Sequence, residues 1–295
     1  MRSTHTSAAL LLIVATFVST FADAAAAAAN STSNEVVVQR ELAYGSDKRQ
    51  TIDVYAPANA ERAPVIFMVH GGGWRYGDKT NARVVENKIA RWVARGFIFV
   101  SVNYRMLPEL DGLQQRDDIT AALAFAQQHA ANWGGDAAQF ILMGHSAGAH
   151  LVALINANPT IALNAGAQPW LGTVALDSGA LDVPAIMQRR HLPLYDAAFG
   201  NDQQRWQLAS PRHQLIRGTP PLLAVCSTQR RDNPCQQAQV FMQDSAALDD
   251  RVVVLPQNLS HSQVNETLGL PGAYTDAVET FIASLNPAFI GLLRQ

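Results

Sequence analysis

The segment Gly144-His145-Ser146-Ala147-Gly148 places one serine between two glycines, directly after an apolar run. The run at 139–143 is typical of a buried strand, and the residues from 147 onward have helical spacing. A serine on such a tight strand-to-helix turn projects its hydroxyl at the carboxyl ends of the strands. The following helix N-terminus favours a developing negative charge there. This context predicts that Ser146 is a nucleophile, and the alternative is a serine that caps the helix.

A glycine-rich loop, His70-Gly71-Gly72-Gly73-Trp74, follows the apolar run PVIFMV. Successive glycines leave backbone N–H groups unshielded, and preorganised N–H donors are the usual means of stabilising the oxyanion of a tetrahedral intermediate. The loop therefore predicts an oxyanion hole made by Gly71 and Gly72, together with the N–H of Ala147. A flexible loop is the alternative, although three glycines in a row cost conformational entropy. Trp74, next to this hole, is predicted to contact the substrate.

A serine hydroxyl needs a general base, and eight histidines are available for that role. His145 and His150 are too near the serine in sequence, since the base has to approach from another loop. His261 follows the β-branched run RVVVL near the end of the chain. Where a nucleophilic serine sits on a strand-to-helix turn of this kind, the catalytic histidine comes last in the chain. His261 is therefore the predicted base.

The partner acid is expected in a loop that follows a strand and can reach the imidazole. Asp232 is the only carboxylate in the loop STQRRDNPC, which follows the run at 221–226, and it is the predicted acid. Asp177 and Asp182, which follow the run at 171–176, are rivals for this role.

Apolar runs alternate with helical segments along most of the chain. Residues 35–42 and 51–56 flank Gly45-Ser46-Asp47 and predict an antiparallel hairpin. Runs with little alternation, typical of strands buried on both faces, follow at 64–69, 97–103, 139–143, 171–176, 221–226 and 251–255. Helical spacing appears at 82–94, 117–130, 237–248 and 273–285. The order predicts an α/β fold with a mostly parallel central sheet and helices on both faces.

One interval, 177–220, is too long for a simple crossover between two strands. Its aromatic residues and prolines predict a small insertion of short helices over the active site. No internal repeat or linker composition appears after residue 30, so residues 35–295 are predicted to form a single domain.

Composition excludes several classes of protein. Hydrophobic residues make up 48% of the chain and charged residues 16%, which indicates a globular protein with a substantial core. The formal net charge of -2 provides no basic stripe for nucleic acid. No cluster of side chains has the spacing of a metal site, so neither a metal nor an organic cofactor is expected.

The first residues have the pattern of a secretory signal. Arg2 supplies a positive charge, residues 8–18 are apolar, and Ala22-Asp23-Ala24 fits the rule for cleavage. The apolar stretch is shorter than the roughly 18–20 residues that a spanning helix requires, so no stable membrane span is expected. The predicted organisation is a signal peptide at 1–24 and a flexible start at 25–34, with a retained anchor as the alternative.

Export changes the interpretation of the two cysteines. In an oxidising compartment an isolated pair usually forms a disulfide, and one between Cys226 and Cys235 would close a short loop. In the chain-entropy model such a bond stabilises the protein by roughly 2–3 kcal/mol. Two buried free thiols are the alternative.

Taken with their neighbours, these segments resemble the α/β-hydrolase family. The likeness covers roughly residues 35–290 and is carried by YGSDKRQTIDVYAP, HGGGWRYGDK, VSVNYR, GHSAGAH and LSHSQVN. Within the family it is nearest to the small HGGG-type esterases related to acetyl esterases, hormone-sensitive-lipase-like enzymes and kynurenine formamidases. The resemblance implies a triad of Ser146, Asp232 and His261, with an oxyanion hole from Gly71, Gly72 and Ala147.

The expected activity is therefore hydrolysis of a small or aryl carboxylic ester through an acyl-enzyme, with no cofactor. An arylformamidase or amidase would use the same residues on an amide bond. A hydrolase-fold binding protein without catalysis is a third possibility, although such proteins usually lack one member of the triad.

The signal sequence makes a prediction about the mature chain. We expect exported protein to begin near Ala25, because cleavage follows the small residues at 22 and 24. N-terminal sequencing of protein recovered outside the cytoplasm tests this, and material that still begins at Met1 would contradict it.

Overall fold

An eight-stranded sheet organises the residues that the computed structural model describes, which are Met1 and residues 35–294. The predicted signal peptide and flexible start lie outside the described residues, apart from Met1. The strands are β1 Val36–Ala43, β2 Thr51–Pro57, β3 Ala63–Val69, β4 Ile98–Val102, β5 Gly135–His145, β6 Gly172–Leu176, β7 Leu222–Ser227 and β8 Val252–Gln257. Their order across the sheet is β1-β2-β4-β3-β5-β6-β7-β8. β2 is antiparallel to its neighbours β1 and β4, and β3 to β8 are parallel.

Helices connect these strands. The longer ones are α1 Ala82–Trp92, α2 Gly112–His129, α3 Ala147–Ala157, α9 Pro234–Ala246 and α11 Ala273–Leu285. The shorter ones are α4 Thr160–Asn164, α5 Val183–Met187, α6 Pro193–Phe199, α7 Gln203–Leu208, α8 Pro211–Gln214, α10 His261–Glu266 and α12 Phe289–Leu293. Within the described part of the chain, no helix is both long enough and apolar enough to cross a membrane.

The core lies on both faces of the sheet, as the near-continuous apolar runs predict. On β3, Val65 and Phe67 face α2 and α3, whereas Ile66 and Met68 face α1 and α11. α9 covers the first of these faces over β7, where Phe241 packs near Leu222. Because both faces are covered by helices, the strands are hydrophobic at successive positions.

The sequence predicts most element boundaries to within a few residues. The antiparallel hairpin and all six later strands are confirmed. The helix predicted at 117–130 is wrong at its start, because α2 begins at Gly112. Asp111 caps it by accepting bonds from the N–H groups of Leu113 and Gln114, and the Gln114 side chain accepts the N–H of Asp111 in return.

The interval 177–220 forms short helices, as predicted, and these are α5 to α8. Tyr195 and Phe199 of α6 pack beside Trp74, which belongs to the glycine loop that follows β3. The insertion therefore lies at the carboxyl ends of the parallel strands, where β3 and β5 also end.

The glycines around Ser146 are required by close backbone packing. A Cβ on Gly148 would lie 2.2 Å from the carbonyl oxygen of Val69, and a Cβ on Gly144 would lie 2.4 Å from that of Gly148. No larger residue fits at either place, so α3 can pass directly against the end of β3. The two glycines thus provide the room that the sequence pattern predicts.

A disulfide joins Cys226, near the end of β7, to Cys235 in the first turn of α9. The predicted pairing is confirmed. The bond spans the loop at 228–233, which therefore begins and ends at fixed points.

The packing around Gly148 can be tested by substitution. Gly148→Ala forces a methyl group into the backbone of β3, and we expect the free energy of unfolding to fall by about 1–3 kcal/mol. Gly291→Ala is the matched control, because Gly291 is also helical and its Cβ would meet no atom within 4 Å. Thermal and denaturant unfolding of both variants measure the difference, and equal stability would contradict the close approach.

Candidate active site

Ser146 occupies a strained bend between β5 and α3. Its backbone angles are φ 56° and ψ −115°, in a region that residues other than glycine rarely adopt. The bend is held because the Ser146 N–H donates to the carbonyl of Leu176 at the end of β6, at 2.9 Å. The serine side chain therefore projects from the sheet edge, as the sequence predicts.

His261 lies within hydrogen-bond distance of this serine. Its Nε2 is 2.9 Å from the Ser146 Oγ, although the two residues are 115 positions apart in the chain. His261 is the first residue of α10, and the side chain of Ser260 caps that helix by accepting the Gln263 N–H. The nucleophile and base predicted from the sequence are thus brought together.

The carboxylate on the far side of the imidazole belongs to Asp177, which directly follows β6. Its Oδ2 is 2.6 Å from His261 Nδ1. A proton on Nδ1 that is donated to Asp177 leaves Nε2 free to accept the serine proton, which is the tautomer that a general base needs.

The prediction that Asp232 pairs with His261 is wrong. Asp232 binds the guanidinium of Arg230 through both carboxylate oxygens, and its side chain is 40% exposed. It lies five residues beyond the end of β7, so it reaches the cavity wall rather than the imidazole. Asp177, one of the two rivals named from the sequence, starts at the strand end and is completely buried beside the histidine. The other rival, Asp182, caps α5 and pairs with Arg212.

Asp177 is kept ionised by its neighbours. Its Oδ1 accepts the N–H of Ser227, and its Oδ2 lies 3.1 Å from Arg230 Nη1. Burial alone would raise the pKa of this carboxyl, but the hydrogen bond with His261 and the charge of Arg230 outweigh burial, so the pKa is lowered. The site thus holds a negative charge where an imidazolium would form.

The glycine loop lies opposite these side chains and is held in a defined shape. The Tyr104 hydroxyl donates to the carbonyl of His70, and His70 Nδ1 donates to that of Gly71. The N–H groups of Arg75 and Tyr76 both donate to the carbonyl of Gly72. These bonds fix the backbone before any ligand arrives.

The N–H groups predicted for the oxyanion hole are not used by hydrogen bonds within the described part of the fold. Within residues 35–294, those of Gly71, Gly72 and Ala147 have no intramolecular acceptor. Gly72 and Ala147 line the cavity around Ser146, as does Gly73. Gly71 packs against the serine itself, because a Cβ there would lie 2.9 Å from the Ser146 Cβ.

Two further histidines support the site as neutral rings. His150 Nδ1 accepts the indole N–H of Trp74 at 3.2 Å, and its Nε2 donates to the carbonyl of Ala209 at 2.7 Å. Burial lowers the pKa of His150 to about 4. His145 Nε2 donates to the carbonyl of His261, and burial and the nearby His261 ring lower the pKa of His145 to about 3.

The helix that carries His261 is anchored at its other end by α1. The Asn87 side chain donates to the carbonyl of Glu266, and the Lys88 ammonium donates to that of Asn265 at 2.7 Å. Burial lowers the pKa of Lys88 to about 7. α10 is therefore capped at both ends, which fixes the position of the imidazole.

A cavity of about 1020 Å³ opens above Ser146 and His261. Its apolar lining is Trp74, Ala180, Ile186, Leu192, Leu194 and Tyr195, mostly from the insertion. Trp74, predicted to contact substrate, is among the residues that line this cavity, although it is only 4% exposed. Sequence reasoning missed Arg230, which contacts Asp177, and His145, which holds the backbone of His261. The signal available for Asp177 was its place directly after a strand.

This sheet topology, with a serine on the bend after β5 and a histidine after β8, is that of an α/β-hydrolase. A family model described as BD-FAE matches residues 52–167, which include the glycine loop and Ser146. A truncated carbohydrate esterase from gut microbiota has a similar structure, with a TM-score of 0.70 and 18% identity over 84% of this chain and 96% of that one. The chain therefore has the α/β-hydrolase fold.

The sequence is also similar to those of several esterases. Esterase LipC of Mycobacterium tuberculosis is 26% identical over 261 residues, which cover 80% of this chain and 59% of the relative. A probable isoprenylcysteine alpha-carbonyl methylesterase, ICMEL1 of Arabidopsis thaliana, is 32% identical over 117 residues, or 39% of this chain and 24% of the relative. The chain thus spans less than two thirds of either relative. The resemblance to esterases of the α/β-hydrolase family is confirmed.

The neutral state of the two supporting histidines can be observed by NMR. We expect the ring signals of His145 and His150 to stay constant from about pH 8 to about pH 5, because both pKa values lie below that range. His191 is the internal control: its hydrogen bond with Asp196 raises its pKa, so its ring carries a proton at about pH 5, where the two buried rings do not. A midpoint above pH 5 for either buried ring would contradict the structure.

Proposed function

We propose that this chain is a serine carboxylesterase that hydrolyses carboxylic esters through an acyl-enzyme. The observation that carries the proposal is the relay from Ser146 Oγ to His261 Nε2, at 2.9 Å, and from His261 Nδ1 to Asp177, at 2.6 Å. Nucleophile and base both line one cavity, and the orienting carboxylate is buried behind the base.

In the proposed mechanism, Ser146 attacks the ester carbonyl while His261 accepts the hydroxyl proton. Asp177 stabilises the imidazolium that forms, because its negative charge is already in contact with Nδ1. His261 then protonates the departing alcohol, which leaves the acyl group on the serine. Water enters, gives up a proton to His261 and releases the acid, so the protein returns to its starting state.

The oxyanion of each tetrahedral intermediate would be bound by backbone N–H groups. Ala147 offers one from the first turn of α3, and the glycine loop offers others from Gly71 and Gly72. Donors held in place before the reaction stabilise a developing charge without reorganisation. The hydrogen bonds that fix this loop therefore support its role as the oxyanion hole.

The names of relatives support an ester rather than an amide substrate. LipC is described as an esterase and ICMEL1 as a probable methylesterase. An arylformamidase would use the same triad, so an N-formyl aryl amine assayed beside an aryl ester is a direct comparison. We expect the ester to be the better substrate.

We also propose that the protein is exported after cleavage of its signal sequence. The charged start, the short apolar stretch and the small residues at 22 and 24 support this proposal. The disulfide between Cys226 and Cys235 is also in accord with an oxidising compartment.

Substitution of the two aspartates distinguishes the acid seen in the structure from the one predicted by sequence. We expect Asp177→Asn to lower kcat for 4-nitrophenyl acetate by about 10³- to 10⁴-fold, because the amide no longer holds the required tautomer of His261. Asp232→Asn is the matched control, with an expected loss of less than about tenfold, since Asp232 does not contact the imidazole.

Ser146→Ala completes this set and should remove nearly all activity. What remains should be only the small acceleration that substrate binding and the oxyanion hole provide. Circular dichroism and thermal unfolding establish that each variant is folded. A Ser146→Ala protein with full activity would reject the proposed function, whereas a larger loss in Asp232→Asn than in Asp177→Asn would reject only the assignment of the acid.

A further inference from the structure

Four arginines line the cavity above the triad. Arg189 and Arg190 come from the segment after α5, and Arg230 and Arg231 come from the loop after β7. Asp232 is the only carboxylate residue among the lining residues within the described chain. The overall charge of the chain is −2, so this concentration of positive charge is local and not a general property of the protein.

Only one of these arginines is neutralised by carboxylates. Arg230 contacts both Asp177 and Asp232, and its side chain is mostly buried at 18% exposure. The other three, Arg189, Arg190 and Arg231, are exposed and form no ion pair with any residue from 35 to 294. His191, also in the lining, is already paired with Asp196.

The apolar part of the cavity lies alongside this positive group. Ile186 and Tyr195 line the interior with Trp74, and Leu192 and Leu194 are exposed near the two arginines that follow α5. A purely apolar acyl chain would fill the first region but would leave the guanidinium groups without a partner. A cavity with both features matches a substrate that has a hydrocarbon part and a charged end.

We propose that the ester hydrolysed at Ser146 carries an anionic oxygen group, a carboxylate, several bonds from the scissile carbonyl. Arg189, Arg190 and Arg231 bind this group, since guanidinium ions bind carboxylates through paired N–H donors. The inference rests on the proposed esterase function and adds the class of substrate. A cation-lined cavity also raises the local concentration of an anionic substrate before it binds.

The experiment compares esters that differ only in charge. Monoethyl adipate and ethyl hexanoate have the same chain length, but a carboxylate in the first replaces a methyl group in the second. The acetate ester of 5-hydroxypentanoic acid and pentyl acetate form a second pair, with the carboxylate on the alcohol side. Acid release in a pH-stat gives kcat/KM for each ester. Within each pair, the ratio compared between proteins is kcat/KM for the anionic ester divided by kcat/KM for the neutral ester.

We expect a ratio above one for at least one pair in wild-type protein. Arg189→Gln, Arg190→Gln and Arg231→Gln should each lower that ratio by about two- to fivefold, the effect of a partly exposed ion pair. The triple variant should lower it by about tenfold or more. Raising the salt from about 0.05 M to about 0.5 M should reduce the wild-type ratio, because salt screens exposed charges.

Arg217→Gln is the matched control. It removes the same charge from an exposed arginine that precedes the amino end of β7, whereas the cavity lies at the carboxyl ends of the strands. This substitution should leave the ratio unchanged. Arg230 is not substituted for this purpose, because it contacts Asp177 and lies 3.2 Å from His261 Nδ1.

The outcomes separate this inference from the proposed function. If wild-type protein hydrolyses the neutral esters and neither pair shows a preference for the anion, the substrate class is wrong while the esterase function stands. The same holds if the preference survives in the triple variant. If no ester is hydrolysed by wild-type protein, the proposed function itself is rejected.

Discussion

The bend at Ser146 is the constraint on which the site depends. A non-glycine residue with φ 56° and ψ −115° costs on the order of 1–3 kcal/mol, and it persists only where the surroundings leave no alternative. Here the N–H of Ser146 is bound to Leu176, and Gly144 and Gly148 allow β5, α3 and β3 to approach at backbone distance. The same bend ends the strand, starts the helix and exposes the hydroxyl. Without it, the imidazole after β8 would have nothing to activate.

The parts of this site that follow strand ends directly could be predicted from the sequence. In a parallel sheet all carboxyl ends lie at one edge, so the glycine loop after β3, the serine after β5 and the histidine after β8 must meet there. Apolar runs locate those ends to within a residue or two. Local composition therefore carries information about a site whose members are far apart in the chain.

The acid could not be chosen in the same way, because two loops at that edge both offer an aspartate. Asp177 directly follows β6, which is next to the strand that leads to Ser146, while Asp232 follows β7 on a longer loop. The choice depends on side-chain geometry: Asp177 reaches both His261 and Arg230, whereas Asp232 binds the guanidinium of Arg230 instead of the imidazole. The start of α2 was missed for a different reason. Asp111 and Gln114 form a capping box at the true start, but the adjacent aspartates at 117 and 118 form the more obvious acidic pattern of a helix N-terminus.

The covalent tie between β7 and α9 has a consequence for the loop that it closes. Arg230 and Arg231 lie on the loop that this bond closes, so the bond limits the positions that these two charges can take at the mouth of the cavity. Thiol-rich surroundings such as a cytosol separate cysteine pairs of this kind, whereas extracytoplasmic fluids preserve them. The layout of the entrance is in this sense linked to the redox character of its environment, although the serine, its base and its acid are held by other parts of the fold.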